Sequence, residues 1–220
     1  MKLNLPIYRQ AKESVDCGPV CLKMLLEYYG IKLSLKKLKS KIRVYKDGIY
    51  TAQLADFFLK NNFNVEIVTL NPKLFTKRDE KKKNIDLVSH FQKLLTDKET
   101  SKKLKEDDKR GIKYFIKFVK NKGKIKIKIP DEKDLKTEIK NKRPVIAILT
   151  TNFLLGKKPR FNLHYNVVTG IDKKYVYVND PLWDYRGGKH RYLIKDFLFG
   201  LYASSYPYVG DGSLMKIKKK

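Results

Sequence analysis

The chain has 220 residues, of which 42% are hydrophobic and 12% aromatic, and its formal net charge is +27. This length suits one domain, or one domain with an insertion, and this composition excludes a disordered chain. No apolar stretch is long enough to span a membrane, and the first residues lack the apolar core of a secretory signal. We therefore expect a globular, cytoplasmic protein.

Lysine dominates the basic residues, since only eight of the 50 are arginine. Arginine suits bidentate recognition of phosphates and bases, whereas lysine is a hydrated point charge. The excess therefore indicates a solvated surface with non-specific attraction to acidic partners or nucleic acid. A basic nucleic-acid-binding protein stays open as an alternative function.

The two cysteines and three scattered histidines form no metal-ligand pattern, so we expect no metal and no cofactor. Two cysteines without a secretory signal also favour a reducing compartment over a disulfide scaffold.

The first predicted helix covers residues 17–29, after an extended segment over residues 1–10. Asp16 is a favourable N-cap and Gly30 a favourable stop. Only two residues between them are charged, and such a helix is buried almost all round.

Cys17 begins this helix, and the positive end of a helix lowers the pKa of a thiol from about 8.5. The thiolate is the nucleophilic form, and Gly18 beside it leaves room for a substrate. A buried structural cysteine is the alternative reading of Cys17, and it is the simpler reading of Cys21.

Further elements follow in chain order. Helices are predicted from Ser34 to about 42, from Thr51 to 60, from Asp131 to about 142, and around 195–199. Strands are predicted over 63–70, 124–129, 145–149, 163–171 and 175–178, with the strand at 124–129 at a sheet edge guarded by lysine. A long loop is predicted over 182–193.

Residues 71–123 differ in composition from the rest, with charge runs such as 77–83 between segments of helical spacing. We interpret them as a charged helical insertion into a single domain over residues 1–220. The last residues, 214–220, are predicted to be a frayed basic tail. Helices that lead into a later antiparallel sheet define an α+β fold.

His164 and Asp180 lie near the open end of a predicted hairpin that turns at residues 172–174. In that register positions 164 and 180 are cross-strand neighbours. An imidazole beside a carboxylate is an oriented general base, and Cys17 supplies a nucleophile.

Several segments resemble the papain-like cysteine peptidases that process bacteriocin leaders after a double glycine. The resemblance is carried by Gln10, by residues 16–22 and 28–30, by the turn at 47–48 before 51–55, by 144–147, and by the segments around His164 and Asp180. It implies a papain-like fold that hydrolyses a peptide or protein substrate through a thioester. In that scheme Cys17 is the nucleophile, His164 the base and acid, Asp180 the orienting residue and Gln10 an oxyanion donor.

Two alternatives remain open within the same fold. One is a non-catalytic peptide-binding relative, and the other is a different acyl-transfer enzyme, such as a deamidase or a ligase.

Overall fold

A computed structural model describes residues 1–82, 84–156, 158–159, 161–206 and 209–220. Lys83, which ends a predicted charge run, lies outside these residues. The α-helices are Cys17–Tyr28 (α1), Leu35–Lys41 (α2), Thr51–Lys60 (α3), Leu87–Thr96 (α4), Lys98–Lys103 (α5), Glu106–Lys120 (α6), Glu132–Lys140 (α7), Asn152–Leu155 (α8) and Ile194–Ala203 (α9), with a short 3-10 helix at Asp79–Lys81. The strands are Phe63–Thr69 (β1), Lys124–Ile127 (β2), Val145–Leu149 (β3), His164–Ile171 (β4), Tyr175–Asp180 (β5), Gly188–Leu193 (β6) and Leu214–Lys219 (β7).

The strands form one sheet in the order β2-β1-β7-β3-β4-β5-β6 within the described residues. The β1–β2 pair is parallel and the other pairs are antiparallel, so the sheet is mixed and includes a strand from the first half. The lysine-rich strand β2 lies at an edge, as predicted. The α+β class is confirmed.

The sheet separates two hydrophobic cores. The larger core holds α1, α3 and the apolar faces of α4 and α6 against side chains such as Tyr165 and Val167 of β4. The smaller core holds α7 and α9 against Val168 of the same strand and Val178 of β5. Successive residues of β4 therefore face different cores, as alternation along a strand requires.

Helix α1 begins at Cys17 as predicted, but Asp16 does not cap it with its side chain. The Asp16 carboxylate instead accepts a hydrogen bond from Lys39 Nζ at 2.8 Å. Ser34 and Asp131 do cap α2 and α7, whereas the N-cap of α3 is Tyr50 rather than Thr51.

Two predictions about the second half are wrong. Residues 214–220 are not a frayed tail, because β7 pairs with β1 on one side and β3 on the other. Leu214, Met215 and Ile217 are fully buried, and the stability gained by burying these apolar side chains outweighs the preference of the terminal lysines for solvent. Residues 188–193 are likewise not loop but strand β6, which extends the sheet beyond β5.

The hairpin β4–β5 forms, with a different register from the predicted one. Val167 pairs with Asn179, and the register shifts between Val168 and Gly170. The shift is a β-bulge or similar irregularity, which sequence alternation alone does not reveal. The N-terminal segment crosses this hairpin, where Leu3 N donates to Thr169 O and Gln10 N to Pro181 O, each at 2.7 Å.

The segment 71–123 is largely helical in its described residues, as predicted, and α4 and α6 bury Phe91, Phe115 and Phe118 in the larger core. Its status as an insertion into a single domain remains a prediction. Every helix in the described part of the chain is too short or too polar to cross a membrane.

Candidate active site

The N-terminal end of α1 lies against the first residues of β4. Gly18 allows this end of α1 to pack against Ile49, because a Cβ there would clash with the Ile49 side chain, whereas it would make only an ordinary contact with the Tyr165 ring of β4, at 3.6 Å. The Cys21 thiol, one turn later, donates to the Tyr165 carbonyl at 3.4 Å. These contacts fix the position of Cys17 relative to the strand.

His164 is the first residue of β4 and is only 4% exposed. Its Nε2 lies 2.7 Å from Asp180 Oδ1, at the end of β5. Its imidazole and the Cys17 thiol line the same cleft and lie close enough that each shifts the pKa of the other. Since Asp180 occupies Nε2, Nδ1 is the ring nitrogen left for the sulfur.

The structure thus brings together Cys17, His164 and Asp180, although the hairpin register differs from the predicted one. Continuing the Val167–Asn179 pairing places Asp180 opposite residue 166, two positions beyond His164. The contact is therefore diagonal, within the reach of these side chains. Asp180 Oδ1 also accepts from Leu182 N at 2.8 Å, which holds the carboxylate in place.

The electrostatics of the three groups are linked. Burial alone would raise the pKa of the Cys17 thiol, but the hydrogen bond and charge of His164 and the backbone N–H groups of Tyr165 and Gly18 lower it below its ordinary value of 9.0. Burial alone would lower the pKa of His164, but the charge and hydrogen bond of Asp180 and the interaction with Cys17 raise it to about 10. The pKa of His164 therefore lies above that of Cys17, so a proton shared by the two groups resides on the imidazole, which favours a thiolate beside an imidazolium.

Gln10 lies apart from this arrangement. It is 7% exposed, its Nε2 donates to the Ser14 carbonyl, and its Oε1 is buried without a hydrogen-bond partner. Its backbone N–H donates to Pro181 O, which ties this segment to the residue after Asp180.

Cys17 and His164 line a cleft of about 630 Å³. Its walls come from the segment 45–51, from 161–165, and from Asp107 and Arg110 of α6. The segment 71–123 therefore contributes to the cleft. Tyr50 connects the two walls, since its hydroxyl donates to Asp107 at 3.0 Å and its ring stacks on Tyr114.

Sequence reasoning missed Asp211, which also lines the cleft. Asp211 is 8% exposed, and burial raises the pKa of its carboxyl well above 3.8, opposed by the charge of Lys73 and reinforced by those of Cys17 and Asp108. No motif marks this residue, because its position depends on β7 lying within the sheet. Tyr165, whose backbone helps to lower the pKa of Cys17, was likewise interpreted only as a strand residue.

The other histidines lie elsewhere. His90 packs on Phe75, and its Nε2 is 2.7 Å from the Leu74 carbonyl, in agreement with a packing role. His190 lies on β6 rather than in the predicted loop. Within the described residues, no group of three or more His, Cys, Asp or Glu could hold a metal ion.

Two family models match the sequence, that of the Peptidase C39 family over residues 4–104 and that of the Peptidase_C39 like family over residues 113–213. The chain belongs to the C39 peptidase family. The family predicted from the sequence motifs is therefore confirmed. Among curated protein sequences, none matches this C39 family member.

Solved structures with C39 peptidase folds resemble this family member at low identity. A C39-like peptidase from Bacillus anthracis is 16% identical, with 100% of this chain and 98% of that chain covered and a TM-score of 0.55. The likeness shows the fold, which is the papain-like α+β fold that we expected.

Two other solved structures have TM-scores of 0.49 and are 15% identical. One is a double glycine motif protease from an AMS/PCAT transporter in complex with the leader peptide, with 100% of this chain and 94% of that chain covered. The other is the peptidase domain of Streptococcus ComA, a bi-functional ABC transporter involved in quorum sensing, with 97% and 98% covered.

Proposed function

We propose that this C39 family member is a cysteine peptidase in which Cys17 is the nucleophile, His164 the general base and acid, and Asp180 the residue that orients His164. The observation that carries the proposal is that the His164 imidazole bonds Asp180 Oδ1 at 2.7 Å and lines the same cleft as Cys17, with each of these two groups shifting the pKa of the other. A nucleophile, a base and an orienting carboxylate in this order are the general requirement for acyl transfer by a thiol.

The reaction proceeds in two acyl-transfer steps. The Cys17 thiolate attacks the carbonyl carbon of the scissile peptide bond, and a C–S bond forms. The C–N bond then breaks as the His164 imidazolium gives its proton to the leaving amine. Neutral His164 next takes a proton from water, whose oxygen attacks the thioester and releases the acid product and the Cys17 thiolate.

The oxyanion of each tetrahedral intermediate needs N–H donors in a fixed position. The backbone N–H of Cys17, at the first turn of α1, is one donor in this proposal, and the Gln10 side chain is the second. The Gln10 role requires its amide to turn from the Ser14 carbonyl toward the cleft.

A peptide or protein substrate suits the cleft. About 630 Å³ is enough for several residues of extended peptide, and Tyr45, Tyr50 and Phe161 offer apolar walls beside the thiol. Both cysteines are free, and a reducing compartment such as the cytoplasm would preserve the nucleophile.

The test is a digest of a random peptide mixture in H₂¹⁸O, with wild type, Cys17→Ser and Cys21→Ser compared by mass spectrometry. We expect new N-termini and ¹⁸O in the new C-terminal carboxyls with wild type and Cys21→Ser, and neither with Cys17→Ser. A mass increase on Asn or Gln without chain cleavage would indicate a deamidase, and joined peptides would indicate a ligase.

Binding of peptides without turnover by a folded wild type would indicate a non-catalytic relative. Tight binding to random duplex DNA that persists at high salt would favour the nucleic-acid alternative.

A further inference from the structure

Buried polar atoms without a partner are concentrated on β5, which ends at Asp180, and on its two neighbouring strands. In the described part of the chain, eight side-chain nitrogen and oxygen atoms are buried with no hydrogen-bond partner. Five of the eight belong to three neighbouring strands, β4, β5 and β6: both amide atoms of Asn166, Oδ2 of Asp180, Nε2 of His190 and the hydroxyl of Tyr192. Buried polar atoms in folded proteins are nearly always paired with protein or with ordered water.

The strand register places the first two of these groups side by side. Val167 pairs with Asn179, so continuing the ladder by one residue sets Asn166 opposite Asp180. Alternation along β4 puts Asn166 on the same face as His164 and away from Tyr165.

The other two groups lie on the next strand. His190 pairs with Val178, and Tyr192 stacks on His190 with ring centroids 6.2 Å apart. Burial and the charge of Asp180 raise the pKa of Tyr192, so its hydroxyl keeps its proton and acts as a donor.

Burying the Asn166 amide at this position lowers the stability of the fold. It is 0% exposed in a strand whose other residues near it are Tyr165, Val167 and Val168, and all of its hydrogen-bonding capacity is unmatched. A valine would avoid the cost of burying an amide and would fit the strand better. Water is small enough to bond several of these groups at once.

One carboxylate oxygen of Asp180 accepts hydrogen bonds and the other has no hydrogen-bond partner. Oδ1 bonds His164 and the backbone of Leu182, whereas Oδ2 has no partner. A group held at Oδ2 would prevent the carboxylate from rotating away from the imidazole. Asn166 is the polar side chain opposite it in the ladder.

We propose that Asn166, His190 and Tyr192 enclose a hydrated pocket behind Asp180, and that Asn166 is a positioning residue that holds Oδ2 of Asp180 through ordered water. This inference rests on the role proposed above for Asp180. It gives the triad a support that lies on the opposite side of the carboxylate from His164.

The test compares Asn166→Leu, which removes the amide at similar volume, with Asn166→Ser, which keeps a hydroxyl and leaves room for water. Val168→Leu, on the same strand and face, is the control for altered packing. The readouts are the pH midpoint of Cys17 ionisation, followed by thiolate absorbance and alkylation, together with kcat and KM on a cleaved peptide and the thermal midpoint.

For Asn166→Leu we expect an unchanged or higher thermal midpoint, a higher pH midpoint for Cys17, and a kcat about tenfold lower with little change in KM. Asn166→Ser and Val168→Leu should retain the wild-type pH midpoint. A folded Asn166→Leu with wild-type pH profile and kcat would overturn the proposal.

If Asn166→Leu does not fold, Tyr192→Phe and a high-resolution crystal structure decide. A raised pH midpoint for Cys17 in Tyr192→Phe, with water at Oδ2 of Asp180, supports the pocket, and an unchanged midpoint or a dry pocket overturns it. These failures are distinct from failure of the proposed function, which would show as an ordinary thiol pKa for Cys17 in the wild type itself.

Discussion

Cys17 and Cys21 lie one turn apart on α1, and the backbone of Tyr165 acts on both thiols, but in opposite senses. The Tyr165 backbone helps to lower the pKa of Cys17, whereas its carbonyl accepts a hydrogen bond from the Cys21 thiol at 3.4 Å. A donor at sulfur favours the thiolate and an acceptor favours the thiol. One peptide strand therefore stabilises different protonation states at the two positions.

The other neighbours of the two thiols increase the difference between their pKa values. His164 compensates the burial of Cys17, so that the pKa of Cys17 is lowered. Cys21 has no such cation, and burial followed by the charges of Cys17 and Asp180 raises its pKa well above 9.0. The difference in reactivity between the two thiols thus depends chiefly on His164 at the start of β4, with a smaller contribution from the Gly18 backbone in the helix.

The largest effect is expected from Asp180→Asn, which removes the charge that supports the imidazolium. Without it the pKa of His164 falls from about 10 toward 6.5, and that of Cys17 rises toward 9.0. The pH range of the thiolate–imidazolium pair then narrows from both sides, and kcat should fall by a factor on the order of 10² to 10⁴.

The measurement for Asp180→Asn is the pH profile of kcat/KM. Its acidic limb should move up and its alkaline limb down. Asp172→Asn, in the turn of the same hairpin, is the matched control and should leave both limbs in place. If both limbs of the Asp180→Asn pH profile stay where they are in wild type, Asp180 does not control the pKa values of His164 and Cys17 as we infer.

The next effect is the contrast between the two thiols in wild type. Near neutral pH a small alkylating agent should modify Cys17 at least about a hundredfold faster than Cys21. The pKa of Cys17 is lowered and its side chain is half-buried, whereas the pKa of Cys21 is raised well above 9.0 and its side chain is 0% exposed. His164→Ala should slow the Cys17 reaction by about tenfold and leave Cys21 unchanged. Peptide mapping after timed quenching measures the alkylation rates of both cysteines. Equal, slow rates would show that the Cys17 thiol is not activated relative to Cys21.

Much of this arrangement was predictable because its signals are local. Three signals can each be recognised within about ten residues: the apolar helix after Asp16, the strand-forming residues of β4, and the end of a strand at Asp180-Pro181. The contact between His164 and Asp180 was predicted from a register that proved to be wrong. The prediction succeeded because side chains two positions apart across a hairpin can still meet.

The rest depended on long-range pairing. The segment Leu214–Lys219 reads as a basic terminus, and only β1 and β3 on either side convert it into a central strand. Asp211 enters the cleft as a consequence, so no local pattern could identify it. The burial of Asn166 is similar, since its cost is visible only once both faces of the sheet are covered.

A smaller effect is expected from Gly18→Ala, which tests the close packing of the start of α1 against Ile49. The new Cβ would clash with the Ile49 side chain, and the helix must shift or Ile49 must rearrange. We expect a loss of about 1–3 kcal/mol in the free energy of unfolding and slower alkylation of Cys17, with Cys21 unaffected.

Gly18→Ala combined with Ile49→Ala is the control for this substitution. The double variant removes the clashing methyl, so alkylation of Cys17 should recover relative to Gly18→Ala even though the cavity at residue 49 costs stability. Additive losses in both measurements would show that Ile49 does not mediate the effect.

The smallest effect is expected from Lys39→Ala, which leaves the Asp16 carboxylate without its ion pair beside the first turn of α1. An uncompensated negative charge near Cys17 opposes ionisation of the thiol, so its pH midpoint should rise. Lys39 is 42% exposed and its charge is screened by water, which limits the rise to less than about half a pH unit. The rise should be measurable by alkylation at low ionic strength and should disappear in high salt.

The Cys21 rate should not change under either condition, because its reactivity is set by burial. A salt-independent rise would instead mean that Lys39 orders the start of α1, and that the two thiols differ through helix position as well as charge.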